Sequence, residues 1–332
     1  MYLLNQPETL LEKYPLQVHR ISRGRGMYIC QTDQGDKLLL PFYGSKERAH
    51  WLASTLDMLY ARGIVTERIL RTSEGECLVT DVYDTAYICK DMFAGDECRT
   101  RNLEDMKAAA RALAHFQNKV AMHPDLTVFP FPFAKPEELW PALQAQKRIR
   151  ELRRVRNYIR NKKKKTAFEE IFQRESFYFL EAAEQTLAQW DAFPLELGNF
   201  QLCHGDFNQH NVVCTPNGWQ LIHFERMQYQ LPMVDLANFL RKMMEKHNWK
   251  SEVGKELLYA YTQVHPLRKS EGQQLYLLLS FPQKFWKIAN HYQRAHKAWI
   301  LGHDTEKLSK VIAQESMKQQ FVEELKDIVS RL

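Results

Sequence analysis

Apolar residues follow two different spacings along the 332-residue chain. Up to residue 88 they come in short alternating runs, the period of strands whose side chains face opposite sides in turn. The run VHRISRGRGMYICQTDQGDKLLLPF, residues 18–42, predicts a strand, a Gly-containing turn, a second strand, the turn TDQGD and a third strand. GSKERAHWLASTLDMLYARG, residues 44–63, predicts a helix. Ser45 is placed as N-cap, and Glu47 lies near the positive end of the dipole. Trp51, Leu52, Leu56 and Leu59 share one face, and Gly63 ends the helix. ERILRTSEGECLVTDVY predicts a hairpin turning at Ser73–Gly75.

Beyond residue 88 the period becomes helical. NLEDMKAAARALAHFQNKV, LWPALQAQKRIRELRRVRNYIRN, FEEIFQRESFYFLEAAEQTLAQW and QQLYLLLSFPQKFWKIANHYQRAHKAWI are long helical patterns. Pro282 kinks or divides the last. One stretch breaks the rule: LCHGDFNQHNVVCTPNGWQLIHFERM, Leu202–Met227. It reads as loop, strand, the turn TPNG, and a second apolar strand at Leu221–Phe224. The expected architecture is α+β and bilobal. A small strand-rich lobe spans 1–88, and a helical lobe spans 89–332 with a catalytic-like loop at 204–225.

No apolar run reaches the roughly 20 residues that span a membrane. The opening MYLLNQPETLLEKYPLQ meets Pro7 and acids too early for a secretory signal, which implies synthesis and retention in a cytoplasm. Six cysteines form no CxxC pair, so buried free thiols are expected rather than disulfides or zinc ligands. The net charge is +6, and eleven Lys and Arg fall within Lys147–Lys165.

In HGDFNQHN, Asp206 stands five residues before Asn211 and two after His204. Phosphoryl transfer needs a carboxylate to orient the attacking hydroxyl and oxygen ligands to hold magnesium. In an H-x-D-x-x-x-x-N loop the Asp does the first and the Asn helps with the second. The segment resembles the catalytic loop of the aminoglycoside and choline phosphotransferase superfamily, whose members carry HGD. By the same resemblance Asp235, in MVDLANFL, buttresses the loop. From about residue 15 onward the chain also resembles the CotS-type spore coat proteins of endospore-forming bacteria. LLPFYGSKERAHWL, YICKDMFAGDECRTRNLEDMKAAARALAHF, RELRRVRNYIRNKKKK, CHGDFNQHN and FWKIANHYQRAHKAWI carry that likeness. The resemblance implies a kinase-like fold of the aminoglycoside phosphotransferase type, ATP and Mg²⁺ as cofactors, and a place in the spore coat.

Three parts of such an enzyme are altered. Leu40 stands where the resemblance puts the phosphate-holding strand lysine. Lys37, three residues earlier, faces the other side if strand alternation holds. His223, in LIHFER, stands where the family has a metal-binding Asp, and imidazole is a poor magnesium ligand. Glu225 shares its face on a strand but lies about 6–7 Å along; it reads as a solvated residue, with a substitute metal ligand beside Asn211 as the alternative. Gly24 and Gly26 supply only a GxG of the phosphate-covering loop, which a hairpin turn explains as well. Gln117 stands where the superfamily commonly has histidine. The expected function is a CotS-like coat component on a degenerate kinase scaffold, with ATP and Mg²⁺ bound weakly or not at all. The rivals are an active kinase using Asp206 with a rearranged metal site, and a nucleotide- or sugar-binding module without turnover.

The basic segment has its apolar stripe at Ile149, Leu152, Val155 and Ile159, leaving a cationic outer face. Lys162–Lys165 are expected in solvent, ready for an acidic partner such as another coat protein or an anionic polymer. Nucleic acid is disfavoured, since Tyr158 is the sole interleaved aromatic. Phe285, Trp286, His291, Tyr292 and Trp299 read as core. His115, His210 and His303 have no metal-ligand spacing.

Overall fold

The computed structural model describes residues 7–123, 126, 133–193, 199–294 and 302–330. After a short α1 (Glu8–Leu11) come β1 (Val18–Arg23), β2 (Tyr28–Thr32), β3 (Lys37–Pro41), α2 (Lys46–Ala61), β4 (Val79–Thr80) and β5 (Ala86–Asp91). The strands form one antiparallel sheet in the order β1-β2-β3-β5-β4. Its last strand runs past residue 88 to Asp91. Alternation divides its side chains between two faces. Tyr28, Cys30, Leu39, Tyr87 and Cys89 pack with Leu10 and Leu11 of α1. Leu38, Leu40 and Ile88 face the opposite way and join Ala49, Leu52 and Leu56 of α2. Each such leucine contributes about 1.5–3 kcal/mol by leaving water. Ser45 Oγ accepts the Arg48 N–H and starts α2.

The expected hairpin at 67–83 is only a turn. Gly75 N–H donates to Thr72 O at 2.9 Å. Its arms bond to β5 instead of running as a pair of strands: Ile69 bridges Lys90, and Val79 pairs with Tyr87.

The chain crosses between lobes through β6 (Asp96–Glu97). Then follow α3 (Leu103–Ala121), α4 (Pro136–Leu139), α5 (Pro141–Arg160), α6 (Ala167–Trp190), β7 (Gln201–Cys203), β8 (Val212–Thr215), β9 (Gly218–Leu221) and β10 (Gln228–Gln230). The helices α7 (Met233–Lys246), α8 (Ser251–Thr262), α9 (Lys269–Ser280), α10 (Gln283–Arg294) and α11 (Gly302–Ser330) complete the helical lobe. Among the described residues no helix is long and apolar enough to cross a membrane. β6 pairs with β8, Glu97 opposite Val213. Gly95 permits this approach, because a Cβ there would come within 2.3 Å of Cys214 O.

Pro282 separates α9 from α10. Phe285 and Tyr292 of α10 are buried against α5 and α6, with Phe285 stacked 4.1 Å from Phe179 and 5.0 Å from Phe172 between ring centroids. Trp286 is partly buried beside them. His291 is mostly exposed and faces Asp304, contrary to the core reading. Trp299 lies outside the described residues.

Lys162 also departs from expectation. Thr166 and Glu169 form a capping box at the start of α6, which buries Glu169. Lys162 Nζ reaches Glu169 Oε1 at 2.6 Å, and Tyr292 Oη donates to the same oxygen. Burial works against this carboxylate, but those bonds hold its pKa below the ordinary value. Lys163 and Lys164 are exposed.

Candidate functional site

β7 and β10 pair side by side, Cys203 opposite Gln228, and the loop of residues 204–211 leaves the end of β7. Asp235 in the first turn of α7 holds it. Asp235 Oδ2 accepts the His204 N–H at 2.8 Å, and Oδ1 accepts from Gly205 N at 3.1 Å and Gln230 Nε2 at 3.0 Å. Burial pushes its carboxyl up to about 7, opposed by those N–H donors. Gly205 has φ +82°, and a Cβ there would meet Arg226 O at 1.9 Å, so only glycine fits.

His204 is fully buried. Its Nε2 lies 2.8 Å from Ile222 O, which can only accept, so the proton sits on Nε2. Nδ1 accepts the Asp206 N–H at 3.3 Å. Burial lowers this histidine to about 4, and it stays neutral near pH 7. Asn208 Nδ2 and Asn211 Nδ2 both donate to Asp206 O, each at 2.8 Å. The Asp206 carboxylate is left 43% exposed, with Lys242 Nζ of α7 3.3 Å from its Oδ1.

The altered positions gather differently from the sequence expectation. Strand geometry ends at Leu221. His223 is left-handed at φ 65°, and Phe224–Arg226 form a 3₁₀ turn. Alternation therefore does not apply between His223 and Glu225, and His223 Nδ1 lies 3.6 Å from Glu225 Oε1. Glu225 is not a solvated residue. Lys90 Nζ of β5 lies 2.5 Å from its Oε1, 2.9 Å from Glu67 Oε2 and 3.0 Å from His223 Nδ1. Glu67 Oε2 also accepts the His223 N–H at 2.6 Å. Lys90 and Glu67 are buried. Burial disfavours the Lys90 ammonium, but Glu225 and Glu67 outweigh it and raise its pKa. Burial likewise opposes ionisation of Glu225, yet Lys90 drives that carboxyl far below its usual range. For Glu67 burial wins and its pKa rises.

Leu40 sits in the core against α2, opposite Ile88, and Lys37 reaches Asp91 at 2.8 Å. Gly24 and Gly26 form the tight β1–β2 turn, closed by Gly24 N–H to Met27 O at 2.9 Å. Gln117 ties α3 to the start of α7 through Pro232 O. The sequence reading missed Lys90, Glu67 and Lys242. A lysine inside the apolar strand YICKD, sharing the face of Ile88, was the available signal.

Magnesium requires oxygen donors not already committed. Glu225 is committed to Lys90, and His223 offers nitrogen. His223 and the committed Glu225 depart from the magnesium site that the resemblance implies, whereas Asp206 and Asn211 keep their places in the loop.

The family described as "Spore coat putative kinase YutH" matches residues 7–325. No curated protein matches the chain. Among solved structures, an aminoglycoside phosphotransferase from Alicyclobacillus acidocaldarius superposes with TM-score 0.80 at 21% identity, covering 100% of this chain and 98% of that one. Spectinomycin phosphotransferase APH(9)-Ia with ADP and its drug gives 0.61 at 14%, covering 93% and 97%. Amicoumacin kinase hAmiN with AMP-PNP, Ca²⁺ and amicoumacin gives 0.59 at 12%, covering 93% and 91%. At these identities the likeness shows the fold, which is kinase-like with a strand-rich sheet and a helical lobe.

Proposed function

Because the chain belongs to the spore coat YutH family and has a kinase-like fold, we propose that it is a coat component whose kinase fold serves as a scaffold with little or no phosphotransfer. One observation carries this reading. Lys90, from the sheet, is spent on Glu225 and Glu67 at the place where nucleotide phosphates and metal would need free charges. Two solved neighbours hold ADP or AMP-PNP, the second with Ca²⁺. For Glu225 to serve as a metal ligand it would first have to leave Lys90. Leaving one partner of a buried ion pair uncompensated costs about 3–5 kcal/mol. Metal binding through Glu225 would be weakened accordingly. Calorimetric titration with MgATP tests the reading. Weak or undetectable binding is expected, and a sub-micromolar Kd would overturn it.

A second reading is favoured by the loop itself. Asn211 and Asn208 hold the Asp206 backbone, and the Asp206 carboxylate reaches solvent. If slow phosphotransfer exists it runs through Asp206, which would orient an acceptor hydroxyl. Asp206→Asn then abolishes it while the fold survives. Activity unchanged in that variant would remove this reading.

The exposed residues Arg150, Arg154, Arg160, Lys163 and Lys164 form the surface we assign to docking on acidic coat partners.

A further inference from the structure

A cavity of about 70 Å³ lies among α5, α7, α9 and the start of α10. Its polar lining is Arg148, Asn238, Arg241 and Gln283, and its apolar walls include Trp190 and Phe281. No acidic side chain lines it. We infer that this cavity binds the oxyanion group, phosphate or carboxylate, of a small ligand.

Arg148 has no carboxylate within ion-pair distance among the described residues. Its guanidinium instead lies 4.9 Å from the Trp286 ring centroid and 5.9 Å from that of Phe281. The neighbouring acid, Glu151, accepts the Trp286 indole N–H at 2.7 Å. Arg241 is buried, and its Nη1 bonds Glu245 at 2.5 Å. Its Nη2 is buried with no hydrogen-bond partner among the described residues. A buried guanidinium N–H without an acceptor is costly, and a side-chain shift that opens Nη2 to the cavity would let a bound oxyanion supply the acceptor. The Arg148 fork, the remaining Arg241 N–H and two amides match the several oxygens of one such anion.

The surroundings are cationic beyond the cavity. Lys242, next to Arg241 on α7, reaches Asp206, and Lys284 shares Glu245 with Arg241 at 3.4 Å. Lys287 follows one turn after Lys284 on α10. Burial lowers Arg148 to about 10, with Arg241 adding to the effect. Lys287 falls to about 8, first by the crowding of the surrounding protein and then by Arg241 and Lys242. Five cations thus meet three carboxylates, Glu245, Glu151 and Asp206. The cavity has room for one small anionic group. This assignment does not depend on whether Asp206 transfers phosphate.

The test titrates the full chain with inorganic phosphate at constant ionic strength, reading melting temperature and calorimetric heat. A parallel titration with acetate separates a tetrahedral from a planar oxyanion. Saturable stabilisation by at least one of the two is expected. Arg148→Gln should weaken it about 10-fold, the loss of one charge-assisted hydrogen bond. Lys13→Gln, at an exposed position of the strand-rich lobe, should leave it unchanged. Arg148 has no ion pair to lose, so its variant should fold, and circular dichroism verifies that. Arg241→Gln is the companion variant. No saturation by either ion up to about 20 mM, a Kd range of barely 2 kcal/mol, would overturn the site. Equal stabilisation in wild type and folded Arg148→Gln would overturn it too.

Discussion

Lys90 Nζ and Glu225 Oε1 lie 2.5 Å apart, although 135 residues separate them in the chain. The bond joins the last strand of the sheet to the segment just after the catalytic-like hairpin. Lys90 also holds Glu67, so its removal leaves two carboxylates without their cation. Lys90→Met should therefore lower unfolding free energy by about 3–5 kcal/mol. Lys37→Met, which breaks a more accessible pair with Asp91, should cost less. Urea unfolding of both variants checks the ranking. Equal, small losses would mean the Lys90 cluster contributes no more than the Lys37–Asp91 pair.

Restoring the missing groups probes the same place from the other side. Leu40→Lys supplies the strand lysine and His223→Asp the metal carboxylate. Together they should tighten MgATP binding in calorimetry, while neither alone suffices, because phosphates and metal are held as a unit. His223→Asp alone adds a third acid beside Lys90. No gain in the folded double variant would refute the assignment of both positions.

His204 makes stability depend on pH in a stated direction. Its folded pKa of about 4 lies below the ordinary 6.5. Between those values the unfolded chain takes up a proton and the folded chain does not. The stabilisation is thus complete above pH 6.5 and is lost as pH falls toward 4. The full span is worth about 3 kcal/mol. His204→Gln keeps a side-chain N–H for Ile222 O and removes the titration. The midpoint at pH 7 minus that at pH 5 should be lower, as a signed quantity, in that variant than in wild type, because Asp235, raised to about 7, opposes His204 in both proteins. The same difference in both would place the pH effect elsewhere.

The basic segment separates into structural and free charges. Lys162 neutralises buried Glu169, so Lys162→Glu should lower the melting temperature by several degrees. Lys163→Glu with Lys164→Glu should leave it nearly unchanged, since exposed charges contribute little each. The double variant should bind acidic coat partners less well in a low-salt pull-down. Undiminished capture would move the docking surface off this segment.

The lobes and the loop were legible because they depend on local spacing. Alternating residues gave the strands, Ser45 and Gly63 bounded α2, and Asp206 and Asn211 sit five apart whatever the tertiary context. The charge cluster was not legible, because Lys90, Glu67 and His223 come from three separated segments. Glu225 was misread for a specific reason. Strand alternation was carried through His223, whose positive φ ends the strand. Lys162 was misread because its partner is buried by a cap, and the sequence alone does not tell a buried capping Glu from an exposed one. The 67–83 segment lost its hairpin because β5 offered both arms a better edge.

The pairing of Lys90 with Glu225 also orders events on the ribosome. The sheet can emerge and collapse with Lys90 and Glu67 holding only each other. The second carboxylate is synthesised 135 residues later. At about 5–20 residues per second the wait is roughly 7–27 s. β6 waits similarly for β8, its edge unpaired until Val213 and Cys214 are made. An open strand edge beside a charge pair not yet covered by the second lobe is a target for chaperones during that interval. Maturation of this protein should therefore be limited by the arrival of residues 213–225 and not by the folding of the sheet that needs them.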